Sequence, residues 1–84
     1  MRRIVRLFRE LNVRIRAYNP GSTLCDIALD KLRQNDRTTA LLILESLRLG
    51  LEIGISRSLL NESLLYQAIR DIIGAIKELP KQSA

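Results

Sequence analysis

Residues 3–18 read RIVRLFRELNVRIRAY, and this stretch decides how the rest of the chain is interpreted. On a helical wheel of about 100° per residue, its apolar side chains fall within about one third of the circle. They are Ile4, Leu7, Phe8, Leu11, Ile15 and Tyr18. The opposite side carries Arg2, Arg6, Arg9 and Arg16. The pattern predicts an amphipathic helix whose apolar side packs against the rest of the chain.

The excess positive charge of the protein lies entirely in this segment. Residues 1–18 contain six arginines and a single acidic residue, Glu10, which leaves a charge of +5. The other 66 residues hold eight basic and eight acidic side chains and are neutral. A charge excess confined to one helix indicates a localised binding surface, whereas evenly spread charge indicates only solubility.

Three more helices are predicted downstream. Pro20 and Gly21 end the first helix, because proline disfavours helical geometry in the residue before it and glycine tolerates turns. Pro80 ends the last helix. The predicted helices are at about 3–18, 24–34, 39–55 and 61–79. We therefore expect one all-α domain over 1–80, a compact bundle of about four short helices, with a C-terminal tail at 81–84.

The helix predicted at about 39–55 is apolar on nearly every side. Its charged residues Glu45, Arg48 and Glu52 lie at i, i+3 and i+7, so they can pair along the helix. A helix with so little polar surface is expected in the middle of an assembly.

Gly50 and Gly54 belong to a four-residue repeat of small side chains in this segment, with Ser46 and Ser58. Three interpretations are open. A neighbouring helix crosses closely at the glycines, or the helix ends there, because each glycine costs a helix about 1 kcal/mol. The third is a strand within 47–55, where apolar residues alternate.

The apolar surface of the last two predicted helices exceeds what one neighbour could cover. A chain of this length also buries only about 60–65% of its unfolded surface. Both points predict that the core is completed by a homodimer, the commonest symmetric assembly. The expected dimer interface consists of Leu65, Ile69, Ile72, Ile73, Ile76, Gly50 and Gly54.

Part of the chain resembles the ribbon-helix-helix DNA-binding proteins, which gives an alternative topology. The resemblance rests on a short alternating segment at 12–17 with Arg14 and Arg16, a helix at 24–34, the turn at 36–39 and the helix after it. It covers less than half of the chain and includes no specific motif. It implies an N-terminal strand followed by helices, in place of the first helix.

The side chains needed for most catalytic or metal sites are missing. The chain contains no histidine and a single cysteine, Cys25, which we expect to be a small buried apolar residue. Asp26 and Asp30 share a helix face, where exposed carboxylates normally serve only solvation. No glycine-rich phosphate loop is present. We expect no catalytic residue, no cofactor and no metal.

The lone cysteine fits a reducing, cytoplasmic compartment. No apolar stretch reaches the length of about 20 residues that a transmembrane helix needs, and arginines interrupt any secretory signal.

The expected function is therefore binding. The guanidinium group of arginine binds phosphate at two points. We therefore expect Arg2, Arg6, Arg9 and Arg16 to contact the phosphate backbone of DNA or RNA. Two alternatives remain open. One is a protein adaptor that docks through an amphipathic helix. The other is membrane-surface attachment by the basic N-terminal helix, or its use as a mitochondrial presequence.

Overall fold

The computed structural model describes residues 2–15, 21–60 and 63–80. Its five helices, in chain order, are α1 (Arg2–Ile15), α2 (Gly21–Arg33), α3 (Arg37–Gly54), α4 (Arg57–Leu60) and α5 (Leu64–Lys77). The described ranges contain helices and short connections but no strand. The all-α prediction is confirmed.

The four long helices form a ring. α1 packs on α2 and α5, and α3 packs on the same two helices from the other side. The diagonal partners, α1 with α3 and α2 with α5, make at most weak contact. Consequently α1 and α3 occupy opposite corners of the bundle, and the outward sides of these two helices point in opposite directions.

The core lies along the axis of this ring and is almost purely aliphatic. The largest fully buried side chains are Phe8, Leu11, Leu44, Ile69, Ile72, Ile76 and Cys25. Among the described residues, no polar or charged residue is buried. α5 contributes eight of the buried residues and α3 only Ala40 and Leu44, so α5 is the central helix. The expected place of α3 in the middle of an assembly stays a prediction, since within the single chain the central place belongs to α5.

α1 forms as its amphipathic pattern predicts. Ile4, Phe8, Leu11 and Ile15 recur at helical spacing and are at most 3% exposed. Residues 12–15 belong to this helix, so the strand alternative at 12–17 is wrong for that part. One continuous apolar side buries more surface than a short alternating segment could. Residues 16–18, the predicted end of the helix, lie outside the described residues.

Two side chains begin helices by accepting a hydrogen bond from a free backbone N–H. Asp36 accepts from the Thr39 amide at 3.1 Å and starts α3 two residues earlier than predicted. Hydrogen bonds from Thr39 hold the pKa of Asp36 below its usual value. Ser63 accepts from the Tyr66 amide at 3.2 Å and starts α5. α5 therefore occupies most of the range 61–79 predicted for the last helix, and the short α4 precedes that range.

A second contact joins the start of α3 to the residues just after α5. The Arg37 guanidinium donates to the carbonyl oxygen of Leu79 at 2.8 Å and also to that of Pro80. It satisfies carbonyls near the end of α5 and places a positive charge beside the negative end of that helix.

Gly50 and Gly54 do not mark a close helix crossing within the chain. A Cβ atom added at either residue would meet no heavy atom within 4 Å, and both are exposed. The strand alternative is also wrong, since 47–54 is helical. α3 ends at Gly54 and Ile55 turns to extended geometry, which favours the early-termination interpretation.

Of the residues predicted for a dimer interface, some are buried in the chain and others lie on its surface. Leu65, Ile69, Ile72, Ile73 and Ile76 are buried inside the single chain, between 0 and 7% exposed. The sequence pattern showed a wide apolar face on α5 but could not show that α1 and α3 both pack on it. The two glycines are the only members of the predicted set that lie on the surface, and dimerisation itself stays a prediction.

Gly74 lies inside α5 on its exposed side, with no heavy atom within 4 Å of an added Cβ. Gly74→Ala should raise the free energy of unfolding by about 0.5–1 kcal/mol, because alanine loses less backbone entropy in a helix. Urea denaturation measures this change. A loss of stability would show that the backbone at Gly74 is closer to a neighbour than the structure places it.

Cys25 is fully buried, as predicted for a small apolar residue. Burial raises the pKa of its thiol to about 11, and the Asp26 carboxylate adds to the increase. At pH 8 the native thiol should therefore remain protonated and resist alkylation by iodoacetamide. In urea the same residue should react at the rate of a free cysteine. Rapid modification of the folded protein would contradict this burial.

Candidate functional site

Arg2, Arg6 and Arg9 lie on the solvent side of α1 and are all exposed. They follow one another at helical spacing, and together they are called the arginine face here. From Arg2 to Arg9 the helix advances about 10 Å. Arg16, the fourth predicted member, lies outside the described residues. The structure therefore brings three of the four predicted residues onto one surface.

The arginine face has no acidic partner among the described residues. The ion pairs in the described part of the chain are made by Arg48 and Lys77, which lie on other helices. Glu10 is exposed on α1 but pairs with none of the three arginines. Arg3 and Arg14 are also exposed and add positive charge beside the face. Each of the three guanidinium groups thus keeps its donors available for a ligand.

The position of these arginines is fixed, because the opposite side of α1 packs in the core. Its buried residues pack on α2 and α5. Between α1 and α2, the Asn12 amide donates to Asp26 Oδ1 at 2.9 Å. Asp26 and Asp30 are exposed, as expected for solvated carboxylates. The helix displays its arginines without any need to move.

A second polar cluster joins α3 to α5. The Arg48 guanidinium donates to Glu45 at 2.7 and 2.9 Å and to Glu52 at 2.5 Å, which confirms the predicted pairing along α3. The Tyr66 hydroxyl of α5 donates to Glu52 Oε1 at 2.7 Å. These four residues are called the α3–α5 network below. The Tyr66 contact had no sequence signal, since it joins residues of separate helices that share no motif.

Charges on the α5 side border this network. The Arg70 guanidinium lies 5.7 Å from the centre of the Tyr66 ring, within cation–π range. Lys77 Nζ lies 3.8 Å from Glu45 Oε1. Between them, with Gly74 and Ile73, lies an open groove of about 500 Å³.

Both carboxylates of the network, Glu45 and Glu52, accept hydrogen bonds from neighbouring side chains. The hydrogen bond from Tyr66 is the largest cause that lowers the pKa of Glu52, and the Arg48 and Arg70 charges act in the same direction. The hydrogen bond to Glu45 raises the pKa of Arg48. Carboxylates stabilised in the charged form are poor general bases near neutral pH. The arrangement therefore suits fastening α3 to α5 better than catalysis.

Within the described residues, no three His, Cys, Asp or Glu side chains come together in a way that could hold a metal ion. Of the helices described, none combines the length and the apolar character that a membrane span needs.

Comparison with known proteins gives no relative: no family model, no curated protein and no solved structure matches this chain.

The Tyr66–Glu52 hydrogen bond makes stability depend on pH in a defined direction. Because the pKa of Glu52 is lowered in the folded protein, its contribution is present above the ordinary carboxyl pKa of about 4 and is lost as the pH falls through the folded value. In Tyr66→Phe the pKa of Glu52 should rise toward the ordinary range. Carboxyl-carbon NMR titration measures it.

The matched control is Glu52→Gln, which removes the titrating group. Adding Tyr66→Phe to Glu52→Gln should leave the acid dependence of unfolding unchanged. An unaltered Glu52 pKa in Tyr66→Phe alone would show that the hydroxyl does not donate to this carboxylate in solution.

Proposed function

We propose that this protein is a non-enzymatic, dimeric nucleic-acid-binding protein that contacts the phosphate backbone through the arginine face of α1. One observation carries the proposal. Three exposed guanidinium groups, with no acidic partner in the described part of the chain, lie on one side of a helix whose other side is buried in the core. Such an arrangement suits a rigid polyanion better than it suits simple solvation.

The choice of arginine supports phosphate as the ligand group. All six basic residues of 1–18 are arginines, whose planar forks bind phosphate oxygens at two points. The aromatic residue of α1, Phe8, is only 1% exposed, so it is not available to stack on bases. The expected binding is therefore electrostatic and independent of base sequence.

The burial of α1 also weighs against attachment to a membrane surface. An amphipathic helix that lies in a bilayer interface inserts its apolar side among the lipids. Here that side is occupied by Ile4, Phe8, Leu11 and Ile15 in contact with α2 and α5, at most 3% exposed. Lipid insertion or use as a presequence would require the bundle to open.

The proposal predicts a steep salt dependence that the arginine face controls. The variant Arg2→Gln/Arg6→Gln/Arg9→Gln should bind duplex DNA and RNA more weakly than the unmodified protein. The slope of log affinity against log salt should fall by about one unit for each phosphate group that the variant no longer binds. Its stability should change by no more than about 0.5 kcal/mol, since the three side chains are exposed. Fluorescence anisotropy across a salt series measures both affinity and slope.

The matched control removes the same charge from another part of the molecule. Arg33→Gln/Arg70→Gln/Lys77→Gln changes three exposed basic residues on α2 and α5, and it should keep most of the affinity. Equal decreases in affinity for the two triple variants would show that net charge acts without a defined face. No binding by the unmodified protein at about 50 mM salt would leave the adaptor as the better function.

A further inference from the structure

The exposed side of α3 carries no charge at all. Seven residues of this helix are exposed, and on a wheel of about 100° per residue they fill an arc of about 160°. They are Thr38, Leu42, Ser46, Leu49, Gly50, Ile53 and Gly54. This surface is called the outer face of α3. In a chain with 27% charged residues, such a continuous uncharged surface is unusual and indicates a contact with another molecule.

The charged residues of α3 all lie outside this arc and have partners in the same chain. Arg37 donates to the carbonyl oxygens of Leu79 and Pro80, and Glu45, Arg48 and Glu52 form the α3–α5 network. All four are only partly exposed. α1 shows the opposite arrangement, because its solvent side is rich in arginine. The lack of charge on the outer face of α3 is thus a property of one surface, not of the whole chain.

The shape of this face fits a second helix. Leu42, Leu49 and Ile53 are 63, 49 and 88% exposed and form a ridge. Ser46, Gly50 and Gly54 lie beside the ridge and form a shallow groove, where a Cβ at either glycine would meet nothing within 4 Å. The glycines weaken the helix and serve no packing purpose within the chain. A ridge beside a groove on one helix is complementary to an antiparallel copy of itself.

We infer that the outer face of α3 is the dimer interface, and that its occupant is the α3 helix of a second copy. The ridge and groove select this occupant, and charge selects the surface on which two copies meet. Each copy carries +5, located in 1–18, so the repulsion between two copies is smallest when they meet away from α1. α3 is diagonal to α1 in the bundle, and its outer face points away from the arginine face. It is therefore the described surface on which two copies meet with the least repulsion.

This dimer has a functional consequence, which rests on the proposed function. Two copies joined through α3 carry their arginine faces on opposite outer sides. The molecule measures 21 and 19 Å along its two shorter axes, so the two faces lie about 40 Å apart. One straight duplex cannot contact both faces. The dimer therefore binds two separate nucleic-acid segments and holds them side by side.

The interface is tested without any nucleic acid. Light scattering on the full chain should give twice the chain mass of 9.6 kDa. Leu49→Glu/Ile53→Glu should give a monomer, because like charges would face one another across the two-fold axis. Both residues are well exposed in the single chain, so circular dichroism should show an intact fold. Val13→Glu, at a residue 67% exposed on α1, adds the same kind of charge away from α3 and should remain dimeric.

A monomeric unmodified protein would overturn the inference, and so would a double variant that remains dimeric. In the first case the outer face of α3 would be left to a partner of another kind.

Bridging is tested with two duplexes that carry a donor and an acceptor dye. The unmodified protein should produce energy transfer between them, whereas Leu49→Glu/Ile53→Glu should bind each duplex singly and give none. Dimerisation without DNA or RNA binding would refute the proposed function and bridging but leave the interface intact. Binding and energy transfer that persist in the double variant would refute the interface and leave the arginine face intact.

Discussion

Burial of the α5 side chains between α1 and α3 is the constraint on which the other features depend. Ile69, Ile72 and Ile76 are fully buried, and each contributes about 1.5–3 kcal/mol of hydrophobic stabilisation relative to an exposed position. Since α5 meets α1 on one side and α3 on the other, it fixes the rotation of both helices. The direction in which the arginines of α1 point, and the direction in which the uncharged side of α3 points, both follow from this packing.

The two outward surfaces divide the properties of the molecule between them. Near α1 the field is positive, and no acidic partner in the described part of the chain reduces it. On α3 the carboxylates and arginines neutralise one another beside α5, so the exposed side of this helix carries no charged residue. A small domain with one core has few places for separate functions. Here the two diagonal corners of a four-helix ring provide places that do not interfere with each other.

Local features of the fold could be predicted from the sequence, and features that depend on tertiary contacts could not. The amphipathic pattern of 3–18 was sufficient for α1, and the spacing of Glu45, Arg48 and Glu52 was sufficient for their pairing. By contrast, both α3 and α5 showed more apolar surface than one neighbour could cover, and only the actual neighbours show that α5 is the central helix of the chain. The same reason explains the misplaced interface residues on α5. Tyr66 reaches Glu52 across 14 residues, a distance over which no pattern indicates a hydrogen bond.

The contact from Arg37 to the carbonyls of Leu79 and Pro80 closes a loop of 42 residues between the start of α3 and the end of α5. Helix ends normally fray independently, because their last carbonyls lack partners within the helix. Here the two residues Leu79 and Pro80, just after α5, are fastened to the first turn of α3. We therefore expect the end of α5 and the start of α3 to be protected together in hydrogen exchange.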